Sequence, residues 1–229
     1  MERNDLNDFE NSRIEILFEN DDFLVVNKPA GLPVIPEGWN TNAPYLLKNL
    51  LNHYPRLWVV HRLDKPTSGA VLFAKNPDTH RSLNIQFENH KITKVYHAII
   101  EGVPEWRSAF SNQPLRANAS RSHRSVVDNI KGKTASTTFL TLKSSDQYAL
   151  IEASPKTGRT HQIRAHLADL GHPILGDHLY GGHVTELIER TALHSYIIAF
   201  EDPNTNQAIE VNAPYPSDFS NALSMIGFD

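Results

Sequence analysis

The chain has 229 residues, enough for one large domain or two small ones, and 40% of them are hydrophobic, an adequate supply for a core. The absence of cysteine excludes disulfides, thiol nucleophiles and Cys-ligated zinc, and suits a reducing compartment. A formal charge of −4 weighs against a nucleic-acid partner, because such proteins carry a basic footprint. The distribution of charge says more than its sum. Acids crowd the first segment (Asp5, Asp8, Glu10, Glu15, Glu19, Asp21, Asp22), whereas Ser154 to Ala168 holds Lys156, Arg159 and Arg164 and no acid. Arg116, Arg121, Arg124, Lys131 and Lys133 form a second basic region around Asp128. The polar start Met1-Glu2-Arg3-Asn4-Asp5 is not a secretory signal, and no apolar stretch approaches the ~18 residues of a membrane span. The expectation is a soluble cytoplasmic protein with no membrane partner.

In chain order, Ile14–Phe18 and Phe23–Asn27 read as short strands around the turn residues Asn20-Asp21-Asp22. Lys28-Pro29-Ala30-Gly31-Leu32-Pro33 breaks the regular pattern, and Tyr45–Leu51 has helical spacing. His61-Arg62-Leu63-Asp64-Lys65-Pro66-Thr67-Ser68-Gly69 sets one carboxylate between two cations and ahead of a turn. The apolar run Ala70–Ala74 after it reads as a buried strand. Asp64 is thus expected on a loop held by strands, where it can serve as nucleophile, general base or ion-pair partner. Asn76 is a candidate N-cap with Pro77 at the first helical position, and that helix is expected to reach Phe87 or His90.

Lys94–Glu101 reads as a strand that puts Tyr96, Ala98 and Ile100 on one face. Ala109 to Lys133 is rich in turn residues and is the candidate for a long functional loop or a subdomain joint. Strands follow at Thr137–Leu142 and Tyr148–Glu152. A helix is predicted over Thr160–Leu170, capped by Thr160 and ended by Gly171 and Pro173. Ile163, Leu167 and Leu170 share its core face, and the free N–H groups of Thr157-Gly158-Arg159-Thr160 offer a phosphate site. A short helix near Glu186–Arg190, strands at His194–Phe200 and Ala208–Val211, and a final helix opened by Pro216-Ser217-Asp218 complete the pattern. The class is α+β with a mainly antiparallel sheet. A single domain is expected over 1–229, with 1–13 as an acidic, flexible lead-in.

Three blocks, His61-Arg62-Leu63-Asp64, Lys94-Val95-Tyr96-His97-Ala98 and Thr157-Gly158-Arg159-Thr160-His161-Gln162-Ile163-Arg164, resemble the signature blocks of the RluA-type pseudouridine synthases. Asn27–Val34, Leu170–Asp177 with Tyr180-Gly181, and Ala213–Phe219 resemble further segments of that family in the same order. The resemblance implies the family's catalytic domain, with flanking helices and a central active-site cleft. It also implies isomerisation of a uridine within RNA, with no cofactor and no metal. Asp64 is then the essential carboxylate, acting on the ribose C1′ carbon or as a base at the sugar. Tyr96 is the aromatic that packs on the base, and Arg164 the cation that pairs with the carboxylate. Arg62 fills the gap left by a flipped base. Lys156, Arg159, Arg121 and Arg124 become candidates for gripping the RNA backbone. No N-terminal module of the S4 type is expected, which leans the substrate toward transfer RNA over ribosomal RNA, with a monomer as the default state. A zinc hydrolase, prompted by the twelve histidines, lacks a His-Glu-x-x-His pattern, and His161 and His166 are five apart. A non-catalytic RNA-binding module on the same fold is opposed by the intact trio Asp64, Tyr96 and Arg164.

Overall fold

The computed structural model describes residues 14–37, 43–117, 124–183 and 185–228. The acidic segment 1–13, expected as a flexible lead-in, lies outside them. The chain forms two compact units, Met1–Ile92 with Ser195–Pro214, and Thr93–His194 with Tyr215–Asp229.

The first unit opens with β1 (Glu15–Glu19) and β2 (Phe23–Lys28), an antiparallel hairpin whose turn is closed by Asn20, its Oδ1 accepting the N–H groups of Asp22 and Phe23. Next come α1 (Leu46–Leu51), β3 (Trp58–Val59), β4 (Ser68–Ala74) and α2 (Pro77–Glu88). β4 is antiparallel to β2, from Phe23 opposite Ala74 to Lys28 opposite Gly69. All seven of its residues are buried, so the apolar run is a central strand covered on both faces. Asn76 caps α2 as expected, accepting the Thr79 N–H at 2.8 Å, with Pro77 at the first helical position. Thr79 and Leu83, one turn apart, are the buried positions of α2, and Leu83 enters the core formed by Phe23, Val25, Leu72, Ile198 and Phe200.

The second unit takes β5 (Thr93–Glu101), β6 (Ser108–Ser111), β7 (Leu115–Arg116), β8 (Val126–Val127), β9 (Thr137–Ser144), β10 (Tyr148–Pro155) and α3 (Gln162–Asp169). The order β5-β10-β9-β6 is antiparallel throughout, and β7 and β8 pair separately as a short ladder. The stretch expected as one long loop, Ala109 to Lys133, therefore carries the end of β6 and all of β7 and β8. β11 (Leu193–Glu201) crosses into the first unit after His194, where it neighbours β4 and pairs antiparallel with β12 (Ala208–Asn212). α4 (Ser217–Ile226) follows Pro216 and ends at Gly227, whose φ is +85°.

The predicted helix at Glu186–Arg190 does not form. That segment is turns and a Thr185–Ile188 bridge, with the Thr185 hydroxyl accepting the Leu187 N–H at 3.2 Å. A local side-chain bond of this kind competes with a helix too short to nucleate by itself. Among the described residues no helix is long and apolar enough to cross a membrane. The fold is the expected α+β class with mainly antiparallel strands.

Candidate active site

Asp64, half-buried in the first unit, heads a four-residue turn closed by the Thr67 N–H on its carbonyl at 3.0 Å. The turn is held from below. The ammonium of Lys28, fully buried, donates to the carbonyls of Pro29 (2.8 Å), Leu32 (2.7 Å) and Lys65 (3.2 Å), and the Gly31 N–H also reaches Lys65 O at 2.9 Å. Three carbonyls for three N–H bonds is how a buried lysine is kept satisfied. On the near side His61 accepts the Leu72 N–H through Nε2 and lies against Phe87, and Leu63 is buried. On the far side Gly69 has φ +111°, and a Cβ there would stand 2.2 Å from the Ser195 carbonyl, so only glycine fits. The backbone around Asp64 is thus pinned at Lys65, Thr67 and Gly69, and its carboxylate is a group able to attack an electrophile or take a proton. Arg62 is exposed two residues upstream. Lys28 was not singled out by the sequence reading. No local signal marks it, because the strand Phe23–Lys28 ends in the polar pair Asn27-Lys28, and a lysine there ordinarily reaches water.

Tyr96 lies in the second unit on β5, opposite Ala153 of β10, and is 9% exposed. Lys94, two residues earlier on the same strand face, has its pKa lowered by burial. α3 packs against β9 and β10. Its start is not built as predicted: Thr160 does not cap it. The N-cap is His161, at φ 53° and ψ 25°, a left-handed backbone uncommon outside glycine. No side chain caps the helix, and Gln162, its first residue, instead ties down the loop before it. Its Oε1 accepts the Thr157 hydroxyl (2.7 Å) and the Arg159 N–H (3.0 Å), while its Nε2 donates to Ser136 O and Thr137 Oγ1, both at 2.9 Å. The Arg159 N–H offered to a phosphate in the sequence reading is therefore already engaged, and the Lys156 N–H is bonded to Ser136 O.

Arg164, 5% exposed, makes a bidentate pair with Asp177, Nε to Oδ2 at 2.6 Å and Nη2 to Oδ1 at 2.8 Å, and its guanidinium lies 5.1 Å from the centre of the Tyr180 ring. Both partners come from the turn 177–182, where the Tyr180 and Gly182 N–H groups bond to Asp177 O. This fork-to-fork geometry fixes a guanidinium plane. Asp177 was read only as part of a motif, and its partnership with Arg164 is new. His166 is fully buried and neutral in character: burial lowers its pKa, Nε2 donates to Gln113 O, and Nδ1 faces the Thr137 hydroxyl at 3.0 Å. Among the described residues no three His, Asp or Glu side chains form a set that could hold a metal ion.

Of the RNA-contact candidates, Lys156, Arg159 and Arg124 are exposed in the second unit, and Arg159 Nε donates to Thr134 O. Arg121 lies outside the described residues. Asp64 and Arg62 belong to the first unit and Tyr96 and Arg164 to the second.

The profile of the RNA pseudouridylate synthase family matches residues 22–169. An uncharacterized RNA pseudouridine synthase of Bacillus subtilis (strain 168), YhcT, is 39% identical, over 93% of this chain and 72% of the relative. The ribosomal large subunit pseudouridine synthase D of Haemophilus influenzae is 34% identical, over 96% and 73%. The solved structure of human RNA pseudouridylate synthase domain containing 1 is similar with a TM-score of 0.75 at 28% identity, covering 89% of this chain and 84% of that one. Human RNA pseudouridylate synthase domain containing 4 shares the fold, with a TM-score of 0.77 at 23% identity over 93% of each chain.

Proposed function

This chain belongs to the RNA pseudouridylate synthase family, and on that premise we propose that Asp64 is the carboxylate with which it isomerises a uridine in structured RNA. The reaction breaks the bond between uracil N1 and ribose C1′ and forms one between C1′ and C5. A proton leaves C5 and one is gained at N1, so nothing is consumed. Asp64 attacks C1′ or takes a proton at the sugar, Tyr96 packs on the base, and Arg164 serves the carboxylate as its cation. A stacked base is out of reach, so the target is flipped out at a cost on the order of a few kcal/mol. Arg62, exposed and planar, is suited to fill the vacated place. Lys156, Arg159, Arg121 and Arg124 grip the backbone, which sets register and affinity. The substrate is ribosomal or transfer RNA, and the similarity to relatives named for the large ribosomal subunit favours ribosomal RNA. The protein works as a monomer in the cytoplasm.

The observation that carries this reading is the placement of Asp64 on a turn fixed by the buried Lys28 ammonium. An acid whose backbone is held this way is prepared for one task rather than for solvation. The test is a pseudouridine map of unmodified ribosomal and transfer RNA incubated with the protein. The wild-type chain is expected to create at least one new pseudouridine. Asp64→Asn, nearly isosteric, is expected to abolish it while melting within a few degrees of wild type. Full activity in that variant, or no new pseudouridine with the wild type, overturns the proposal.

A further inference from the structure

The hydroxyl of Tyr180 joins two parts of the second unit that are far apart in sequence. The Ser125 N–H donates to it at 2.8 Å, and it returns its own proton to Ser125 O at 3.0 Å. Its single proton being spent, the third contact, 3.2 Å from His161 Nδ1, is an N–H of the imidazole donating to the oxygen. Ser125 is itself 1% exposed, and its Oγ donates to Thr160 O at 2.6 Å. Ser125 thus has both its backbone groups tied to Tyr180 and its side chain tied to Thr160, just before α3.

Ser125 is also the root of the basic β7–β8 ladder. Leu115 of β7 is paired with Val127 of β8 and with Lys133 beyond it, and the turn between β8 and Lys133 is fastened by Asp128, which accepts the N–H groups of Ile130 and Lys131. The exposed cations Arg116, Arg124, Lys131 and Lys133 project from this small structure. Its footing is a separate apolar cluster of Leu115, Ala135 and Ala165, with Val127 and Tyr180 packed against it. That cluster buries little surface, so polar ties contribute a large share of what holds the ladder to α3.

The same Tyr180 presents its ring to the Arg164 guanidinium, and the turn that carries it supplies Asp177 to the same group. One short turn therefore grips Arg164 by a carboxylate and a ring, and grips the ladder by a hydroxyl. We propose that Tyr180 is a positioning residue that couples the basic β7–β8 ladder to Arg164, so that seating RNA phosphates on the ladder and orienting the guanidinium become one event. The proposal rests on the catalytic reading of Arg164 given above. It divides one side chain into two roles, hydroxyl for the ladder and ring for the arginine.

The division is testable with the full chain. Tyr180→Phe keeps the ring and deletes the ties to Ser125. Hydrogen exchange at Ser125–Asp128 is expected to accelerate, and binding to an unmodified large-subunit ribosomal RNA transcript to weaken about fivefold to tenfold, the equivalent of one hydrogen bond or so. Turnover at saturating RNA is expected to fall by a smaller factor. Tyr180→Leu removes the ring as well, and turnover is then expected to drop at least about tenfold further, since the guanidinium loses its stack. Ser125→Ala, which cuts only the bond to Thr160, gives a milder form of the Tyr180→Phe result. Unchanged exchange and unchanged RNA binding in Tyr180→Phe overturn the proposal, as does a loss of turnover equal to that of Tyr180→Leu with binding intact. If the wild type forms no pseudouridine on this RNA the catalytic reading fails, while exchange and binding still decide whether the hydroxyl holds the ladder.

Discussion

Asp64 and Lys28 show where single residues can and cannot be read. A carboxylate between Arg62 and Lys65, followed by Pro66, Thr67, Ser68 and Gly69, announces a positioned acid on a turn. Lys28 announces nothing, because a lysine at the end of a strand ordinarily reaches water. Its burial follows from the loop that folds back over it, bringing the Leu32 and Lys65 carbonyls within reach of Nζ. The consequence is a prediction. Lys28→Met keeps the aliphatic volume but leaves the buried carbonyl of Leu32 and the part-buried carbonyls of Pro29 and Lys65 without this donor. Stability is expected to fall by about 2–4 kcal/mol, read as a lower urea midpoint at unchanged slope. Pseudouridine formation should fall at temperatures where the variant remains folded, since the turn that aims Asp64 has lost its anchor. A variant as stable as wild type would show the three carbonyls to be served otherwise. Arg164 gives the complementary lesson. The sequence singles it out, but its tie to Asp177 depends on a turn thirteen residues away, shaped by close approaches such as Gly182 on the Ile174 carbonyl.

Elements with a period long enough to display were legible, and short ones were not. The fully buried β4, the capped α2 and β5, buried without a break from Tyr96 to Ile100, carry their pattern in five or more residues. β3, β7 and β8 have two residues each, and exist because Trp58 meets Ala74 and Leu115 meets Val127. α3 is instructive because its existence was legible while its start was not. Thr160 is a good capping residue by type, yet it is exposed and makes no cap, and Gln162 takes the Thr157–Arg159 loop instead. The two accounts differ in outcome. Thr160→Ala would cost about 1 kcal/mol were it the cap, and is expected to cost close to nothing. Gln162→Leu severs bonds to Thr157, Arg159, Ser136 and Thr137 and is expected to cost about 2–4 kcal/mol. It should also weaken RNA binding by freeing Lys156 and Arg159. Thermal unfolding of the two variants side by side decides which residue organises the start of α3.

At the scale of the whole molecule, net charge was a poor guide to partner and buried histidine is a good guide to behaviour. The −4 charge weighed against RNA because 26 acids outnumber 22 bases over the whole chain, a sum that hides where the bases gather. Histidines enter through the core. His97 is 6% exposed, with Nδ1 on the Tyr215 hydroxyl, and burial pushes its pKa down to about 4. His166, fully buried, is shifted the same way by burial, against weaker opposing contributions from Gln113 O and Asp169. In the unfolded chain both titrate near 6.5. Between pH 6.5 and about 4 the unfolded state therefore binds more protons than the folded one, and stability rises with pH through that window. The contribution is fully present above pH 6.5 and is lost as pH falls toward 4, with His97 alone accounting for on the order of 3 kcal/mol. Urea unfolding is expected to give a flat stability from pH 7 to 8 and a steep decline from pH 6 to 4.5. His97→Gln, which keeps a neutral partner for Tyr215, should remove roughly half of that decline. An undiminished decline in His97→Gln would place the proton uptake on other groups and refute the role given to this histidine.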